Sequence, residues 1–299
     1  MSQIKPAYDF FQCDLSGADG WTVAAHCAKL GDDTMLLDYR HGLKPAKIIA
    51  GLHCFGADFN RLDRESLTYW GKKTQFAAIS NMVGTGIYDC AKVIQHGTNY
   101  LMGIPTMQTN VMRKSFKESG VPIYMDHKTA QTLQSHYLSR YPGVATWHQW
   151  CEAQLVAYGK LTSASGHTRI FFGRRHGKDI KDTVKEYLAD EPQQNTTWAT
   201  NLAMLRLWND PENRIDGLVL EAYETWQATL KGTSGALIVE PFHQVHDALC
   251  GQWPTSRRAW ACAKMHEWFQ NELTIAGYKI VIPFEGAYGP SCGETPNPI

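Results

Sequence analysis

The run Phe10-Phe11-Gln12-Cys13 leads directly into Asp14, and a short apolar strand delivering a carboxylate to its end constrains this chain more than any other stretch. A turn of small residues follows, Leu15-Ser16-Gly17-Ala18, and brings a second acid, Asp19, to the start of the amphipathic run Val23-Ala24-Ala25-His26-Cys27-Ala28-Lys29-Leu30. The pattern predicts strand, turn and helix. A carboxylate at the mouth of a strand can hold a metal ion. On local grounds alone, an Asp ending a strand is more often a turn or helix-cap residue.

The chain must bury a real core, since 43% of its 299 residues are hydrophobic and only 19% are charged. Lys plus Arg and Asp plus Glu both number 29, giving a formal net charge of zero. Bulk charge therefore does not hold nucleic acid here, although a local basic groove remains compatible. The eight cysteines form no CxxC pair, which argues against zinc-ribbon or thioredoxin chemistry. They read as reduced thiols of a cytoplasmic protein. No run approaches the ~18 apolar residues of a membrane span, so no membrane partner is expected.

Periodicity predicts a helix over 44–55 with Pro45 in its first turn, polar irregular chain over 57–75, and a helix over 87–101 after Gly84-Thr85-Gly86. The glycine turn suits an anion at a helix start, or is an ordinary loop. Tyr88, Lys92, His96 and Tyr100 recur every four residues on the helix, so they share a face, either functional or merely solvated. Residues 104–128, with Pro105, Gly120 and Pro122, read as a loop or inserted subdomain. Helices follow over 128–141 and 145–158, then a hairpin-like piece over 161–176. With Arg169, Arg174, Arg175, Lys178 and Lys181 that region is the densest basic stretch, a solvated loop or a contact for phosphate backbone. Helices are predicted over 183–208, 215–231 and 256–273. Residues 236–241 and 242–249 read as β, with His246-Asp247 at a strand end or hairpin tip, and 279–284 reads as one strand.

The order of these pieces resembles the polymerase module of family A DNA polymerases, the DNA polymerase I type, with some features of the phage replicative branch. Asp14-Leu15-Ser16-Gly17-Ala18-Asp19 is similar to the first palm motif, Asp-x-Ser-x-x-Glu. Tyr88-Asp89-Cys90-Ala91-Lys92 through Tyr100 is similar to the fingers helix, Tyr141-Pro142-Gly143-Val144 to a stretch that follows it, and Gly166-His167-Thr168-Arg169 to a segment near the duplex. Pro192-Gln193-Gln194-Asn195-Thr196 resembles a helix start whose glutamine touches primer-template. Gln244-Val245-His246-Asp247 matches the last palm motif, Gln-Val-His-Asp-Glu, and Ile282-Pro283-Phe284-Glu285 the closing strand.

The resemblance implies an α+β fold: a right-hand polymerase palm, an antiparallel sheet with helices, plus mainly helical fingers. The palm would comprise residues 1–36 and 186–299 and the fingers 37–185. It implies transfer of a nucleotidyl group from a dNTP to a primer 3′-hydroxyl on primer-template DNA. Two Mg²⁺ ions, with Mn²⁺ as a substitute, would be held by Asp14, Asp247 and the Leu15 carbonyl. Lys92 would neutralise the triphosphate and protonate the leaving pyrophosphate. Asp19, Lys47, Tyr88, His96 and Tyr100 would line the nucleotide, and Arg169, Arg174, Arg175, Gln194, Gln244 and His246 the DNA.

Four departures bear on efficiency. Tyr88 stands where the family has an arginine, Asp19 is one methylene shorter than the usual glutamate, and Leu101 and Ala248 replace the glycine and glutamate of their motifs. Lys47 falls where a phosphate-contacting histidine is usual and would restore some of the charge missing at Tyr88. Only 13 residues precede Asp14. The expectation is therefore a chain without a thumb, a fragment or half of a split polymerase whose other polypeptide carries thumb and exonuclease, with its palm short of neighbouring strands. The alternatives are a weakly active or inactive polymerase-like accessory subunit that binds DNA, and an unrelated two-carboxylate nuclease.

Overall fold

The computed structural model describes residues 7–56, 86–173, 180–214 and 237–299, together with Phe59 and Glu65. The predicted segments 57–75 and 215–231, and Arg174 and Arg175, lie largely or wholly outside these. The chain divides into two compact units. The first comprises residues 1–18, 194–273 and 279–299, the second 19–193 and 274–278.

The first unit is built on a five-stranded sheet in the order β4-β5-β1-β8-β9. These strands are β1 (Tyr8–Leu15), β4 (Glu240–Val245), β5 (Ala248–Pro254), β8 (Phe284–Gly289) and β9 (Asn297–Pro298). All neighbours are antiparallel. The period-2 pattern of β1 buries Asp9, Phe11, Cys13 and Leu15 on one face and turns Gln12 and Asp14 to the other. Phe11 stacks on Trp253 with centroids 4.7 Å apart, an arrangement worth about 0.5–1.5 kcal/mol beyond its buried area. Gly251 makes room for it, because a Cβ there would meet the Phe11 ring at 2.5 Å. The helix α9 (Arg258–Phe269) covers this face. Its Arg258 forks onto Asp9 at 2.8 and 3.0 Å, and Phe269 packs on Phe284.

The second unit is helical. It holds α1 (Ala18–Lys29) from Asp19 onward, α2 (Thr34–Arg40), α3 (Pro45–Phe55), α4 (Ile87–Asn99), α5 (Ile104–Ser119), α6 (His127–Arg140) and α7 (Gly143–Tyr158), and the small hairpin β2 (Lys160–Thr162) and β3 (Thr168–Ile170). Helices α3, α4 and α6 pack on one another, and α5 packs on α4 and α6. A buried polar knot helps to fix the group. Arg140 donates to the fully buried Asp38 at 3.0 and 3.1 Å, and Tyr141 Oη donates to it at 2.9 Å. The long helix α8 (Ile180–Asn209), with Pro192 inside it, carries the division between units at residues 193/194. A hairpin of β6 (Glu272–Ile275) and β7 (Tyr278–Val281) carries two more, at 273/274 and 278/279.

Several expectations are corrected. Residues 104–128 are not a loop: α5 fills most of them. Pro105 sits in its first turn, where a missing N–H costs nothing, and Gly120 ends it in the left-handed region at φ 72. The single strand expected over 279–284 is two strands of different sheets, β7 and β8, parted at Ile282-Pro283 because proline has no N–H for a ladder. The helix expected over 256–273 stops at Phe269, and Glu272 begins β6. The sheet around Asp14 is not short of neighbours: β1 is paired on both sides.

Candidate active site

Strand register assembles a carboxylate cluster on the open face of the first unit. Asp14 lies directly across from Ala248 on one side and Glu285 on the other. Val245 pairs with Ala248, so His246 and Asp247 form a two-residue hairpin tip. His246 adopts φ 54, a left-handed conformation that costs a non-glycine residue about 1–3 kcal/mol, although histidine tolerates it better than most. Thr200 Oγ1, on α8, donates to the Asp247 carbonyl at 3.2 Å and ties the tip down. Gln244 Nε2 donates to Asn201 Oδ1 at 2.9 Å, fixing β4 on the same helix.

Asp14 and Asp247, far apart in sequence, meet here. The Asp14 carboxyl is pushed up from 3.8 to about 6. Burial is the first cause, followed by the negative charge of Asp247 and a hydrogen bond between the two carboxyls, with Glu285 adding repulsion; the Leu15 N–H opposes these. Two hard oxygen donors forced together in this way fit a divalent cation such as Mg²⁺, whose charge would remove the repulsion. The buried Leu15 adjoins them. Among the described residues no group of three or more His, Cys, Asp or Glu side chains is arranged to hold a metal. Glu285 faces Asp14 across the strand. It accepts a hydrogen bond from Ser16 Oγ at 2.9 Å, and the Ser16 N–H donates to the Pro283 carbonyl at 2.7 Å.

Sequence reasoning left Glu285 and Thr200 without a role at this site. The signal for Glu285 was its place in the closing strand, but only the β1–β8 register puts it opposite Asp14.

A second cluster forms inside the helical unit. Tyr100 Oη donates to Asp19 Oδ2 at 2.9 Å, and His96 Nδ1 lies 3.8 Å from the same oxygen. The His96 and Tyr100 rings meet edge to face at 4.8 Å. Burial, then the Asp19 charge, hold the Tyr100 hydroxyl well above its ordinary range, so it remains a donor. Packing around His96 lowers its pKa, with Lys114 acting in the same direction and Asp19 against it. The helix α4 begins after Gly86, which takes φ 79. Lys92 Nζ lies 4.5 Å above the ring of Tyr88, which is buried, and 3.9 Å from Asp89. Gln95 joins α4 to α3, accepting from the Ala46 N–H at 3.0 Å and donating to Tyr39 Oη at 3.1 Å. Lys47 follows on α3 and is half-buried.

The expected DNA contacts fall in both units. Arg169, in the second unit, is engaged by Asp190 at 2.8 Å and Glu186 at 3.3 Å, with its guanidinium over Phe171. Gln194 is half-buried on α8.

No protein-family model matches the chain, and no curated protein matches it. Among solved structures the chain is similar to the POL domain of Pol1 from M. smegmatis in complex with DNA primer-template and dNTP. The TM-score is 0.57 at 12% identity, over 95% of this chain and 40% of that one. The chain thus spans 40% of that protein's length. Its mixed helices and antiparallel sheet have a polymerase-like fold.

Proposed function

We propose that the chain is the palm and fingers portion of a family A-type, template-directed DNA polymerase that joins a dNTP to a primer 3′-hydroxyl. The observation that carries this reading is the meeting of Asp14 and Asp247 on one sheet face, close enough to perturb each other's ionisation. In this reading the palm is residues 1–36 and 186–299 and the fingers are 37–185.

Asp14, Asp247 and the Leu15 carbonyl would hold two Mg²⁺ ions. When bound, these would lower the charge cost on the attacking and leaving oxygens. The primer oxygen forms a bond to the α-phosphorus as the bond from that phosphorus to the pyrophosphate oxygen breaks. Lys92 neutralises the triphosphate and gives a proton to the departing pyrophosphate. Lys47 adds positive charge that Tyr88 does not supply. Asp19, held by Tyr100, bounds the sugar, while His96 packs on it and Tyr100 offers its ring at the templating position. Arg169, Arg174, Arg175, Gln194, Gln244 and His246 contact the DNA, where base pairing reads sequence and the protein reads backbone.

The test is primer extension with Mg²⁺ and dNTPs, with and without a candidate thumb-bearing chain. Asp14→Ala and Asp247→Ala should each abolish it. Extension that survives either substitution refutes the reading. A second reading, an inactive DNA-binding subunit of the same fold, is favoured by the buried Tyr88 and by Ala248 beside Asp14. It predicts DNA binding with no extension under any of these conditions.

A further inference from the structure

Within the second unit, residues of α1, α7, β2 and α8 line a cavity of about 360 Å³, room for one small ligand. None of the residues given a role above lines it. Its wall holds a buried acid–base pair: His26 Nε2 lies 2.9 Å from Glu191 Oε2, and both side chains are nearly closed to solvent. A carboxylate withdrawn from water needs N–H or O–H donors, and one bond to an imidazole uses only part of its acceptor capacity. Trp150 and Gln154 line the same cavity, four residues apart on one face of α7. The Trp150 ring lies 5.5 Å from that of His26, so a flat π surface adjoins the buried pair. Two ammonium groups also line the cavity. Lys29 Nζ stands 5.9 Å from the centre of the Trp150 ring, and Lys160 opens β2. Both lysines are exposed.

This combination narrows the ligand. An aromatic face beside a carboxylate suits either a guanidinium or the Watson–Crick edge of guanine, since each offers two adjacent N–H donors and a flat π system. The two lysines disfavour a cationic guest and suit an anionic one. Guanine is neutral and, as a nucleotide, carries a phosphate. Adenine fits poorly, because it sets a ring-nitrogen lone pair where guanine has its N1–H, against the Glu191 charge. We infer that this cavity binds a guanine nucleotide: Glu191 accepts from N1–H and the exocyclic amine, Gln154 donates to O6, Trp150 stacks on the base, and Lys29 and Lys160 meet the phosphate. A guanine at the 5′ end of a strand offers the same edge and phosphate, but the small volume suits the free nucleotide. The inference stands apart from the polymerase reading, since it uses none of that reading's residues.

The test is calorimetric titration of the full chain in EDTA with GMP, AMP, guanosine, agmatine and a 5′-phosphorylated oligonucleotide that begins with guanine. GMP should bind at least about tenfold more tightly than AMP or guanosine. Glu191→Gln should erase the preference for GMP over AMP, with folding checked by melting temperature. Lys160→Gln, at an exposed position, should fold as the wild type whatever the fate of the Glu191 variant. It should weaken GMP about threefold and leave guanosine unchanged. Lys92→Ala should keep the GMP Kd within about twofold, which separates this cavity from the proposed dNTP site. Equal wild-type affinity for GMP and AMP overturns the inference, as does an unchanged GMP Kd in Lys160→Gln. Tighter binding of agmatine than of GMP would assign the cavity to a guanidinium, and binding of the oligonucleotide without GMP would assign it to a strand end; either overturns the inference. Primer extension by the wild-type chain tests the polymerase reading separately, because GMP binding in EDTA needs neither primer nor metal.

Discussion

Tyr100 holds Asp19 by a 2.9 Å hydrogen bond from its phenol, so the carboxylate proposed to bound the sugar is fixed by a residue of another helix end. Asp19 reaches one methylene less far than glutamate. A pocket that gains or loses a methylene commonly shifts discrimination by about tenfold or more. Asp19→Glu should therefore raise the preference for dNTP over rNTP about tenfold, and Tyr100→Phe should lower it. Single-nucleotide incorporation measures both, and an unchanged ratio in Asp19→Glu counts against the assignment.

Asp14 makes the protein's stability depend on pH in a defined sense. Its folded pKa, about 6, lies above the ordinary 3.8. Between those values the folded state binds more protons than the unfolded chain, so this group's contribution falls as pH rises from about 4 to about 6 and stays low above that. In EDTA at pH 8, Asp14→Asn should melt about 2–4 °C higher than wild type, with the gap closing toward pH 4. Adding millimolar Mg²⁺ should raise the wild-type Tm at pH 8 and leave the variant's unmoved. Scanning calorimetry of both proteins reads these shifts.

Glu285 supplies a third negative charge across the strand from Asp14. Glu285→Gln keeps an acceptor for Ser16 and removes only the charge. The Mg²⁺ concentration for half-maximal primer extension should rise roughly threefold, a fraction of a kcal/mol typical of a partly solvated charge, while Tm without metal holds or rises. An identical Mg²⁺ titration would remove Glu285 from the site.

Asp38 is fully buried and accepts from Arg140 and Tyr141. Removing one partner of a buried pair strands the other charge, typically at a cost of about 3–5 kcal/mol. Asp38→Ala should lower the melting temperature by roughly 10 °C. A surface substitution such as Lys279→Ala, which loses an exposed pair with Glu272, should move it by less than about 2 °C.

Legibility in the sequence followed the range of the determining interaction. The alternation in β1 and the period of α4 are local and could be read directly. Pro105 and Gly120 were misread because the same residues that break a helix interior also mark its ends, and only the intervening periodicity distinguishes the cases. Asp14 and Asp247 could be linked through the resemblance, but no local pattern joined them. Glu285 could not be placed at all, because register belongs to pairs of strands rather than to either one. The buried hydrogen bond between His26 Nε2 and Glu191 Oε2, at 2.9 Å, was equally invisible.

The rims of the sheet have one further consequence. Among the described residues the outermost strands are β4 and β9. β4 carries Pro241 and a bulge between Pro241 and His243, and β9 has two residues, one of them Pro298. Neither offers an unbroken row of N–H donors to a newcomer. A visiting polypeptide gains little by extending this sheet through backbone pairing. Recognition of any protein partner at these rims would then be written in side chains, which can exclude the wrong companion in a way that a generic backbone ladder cannot.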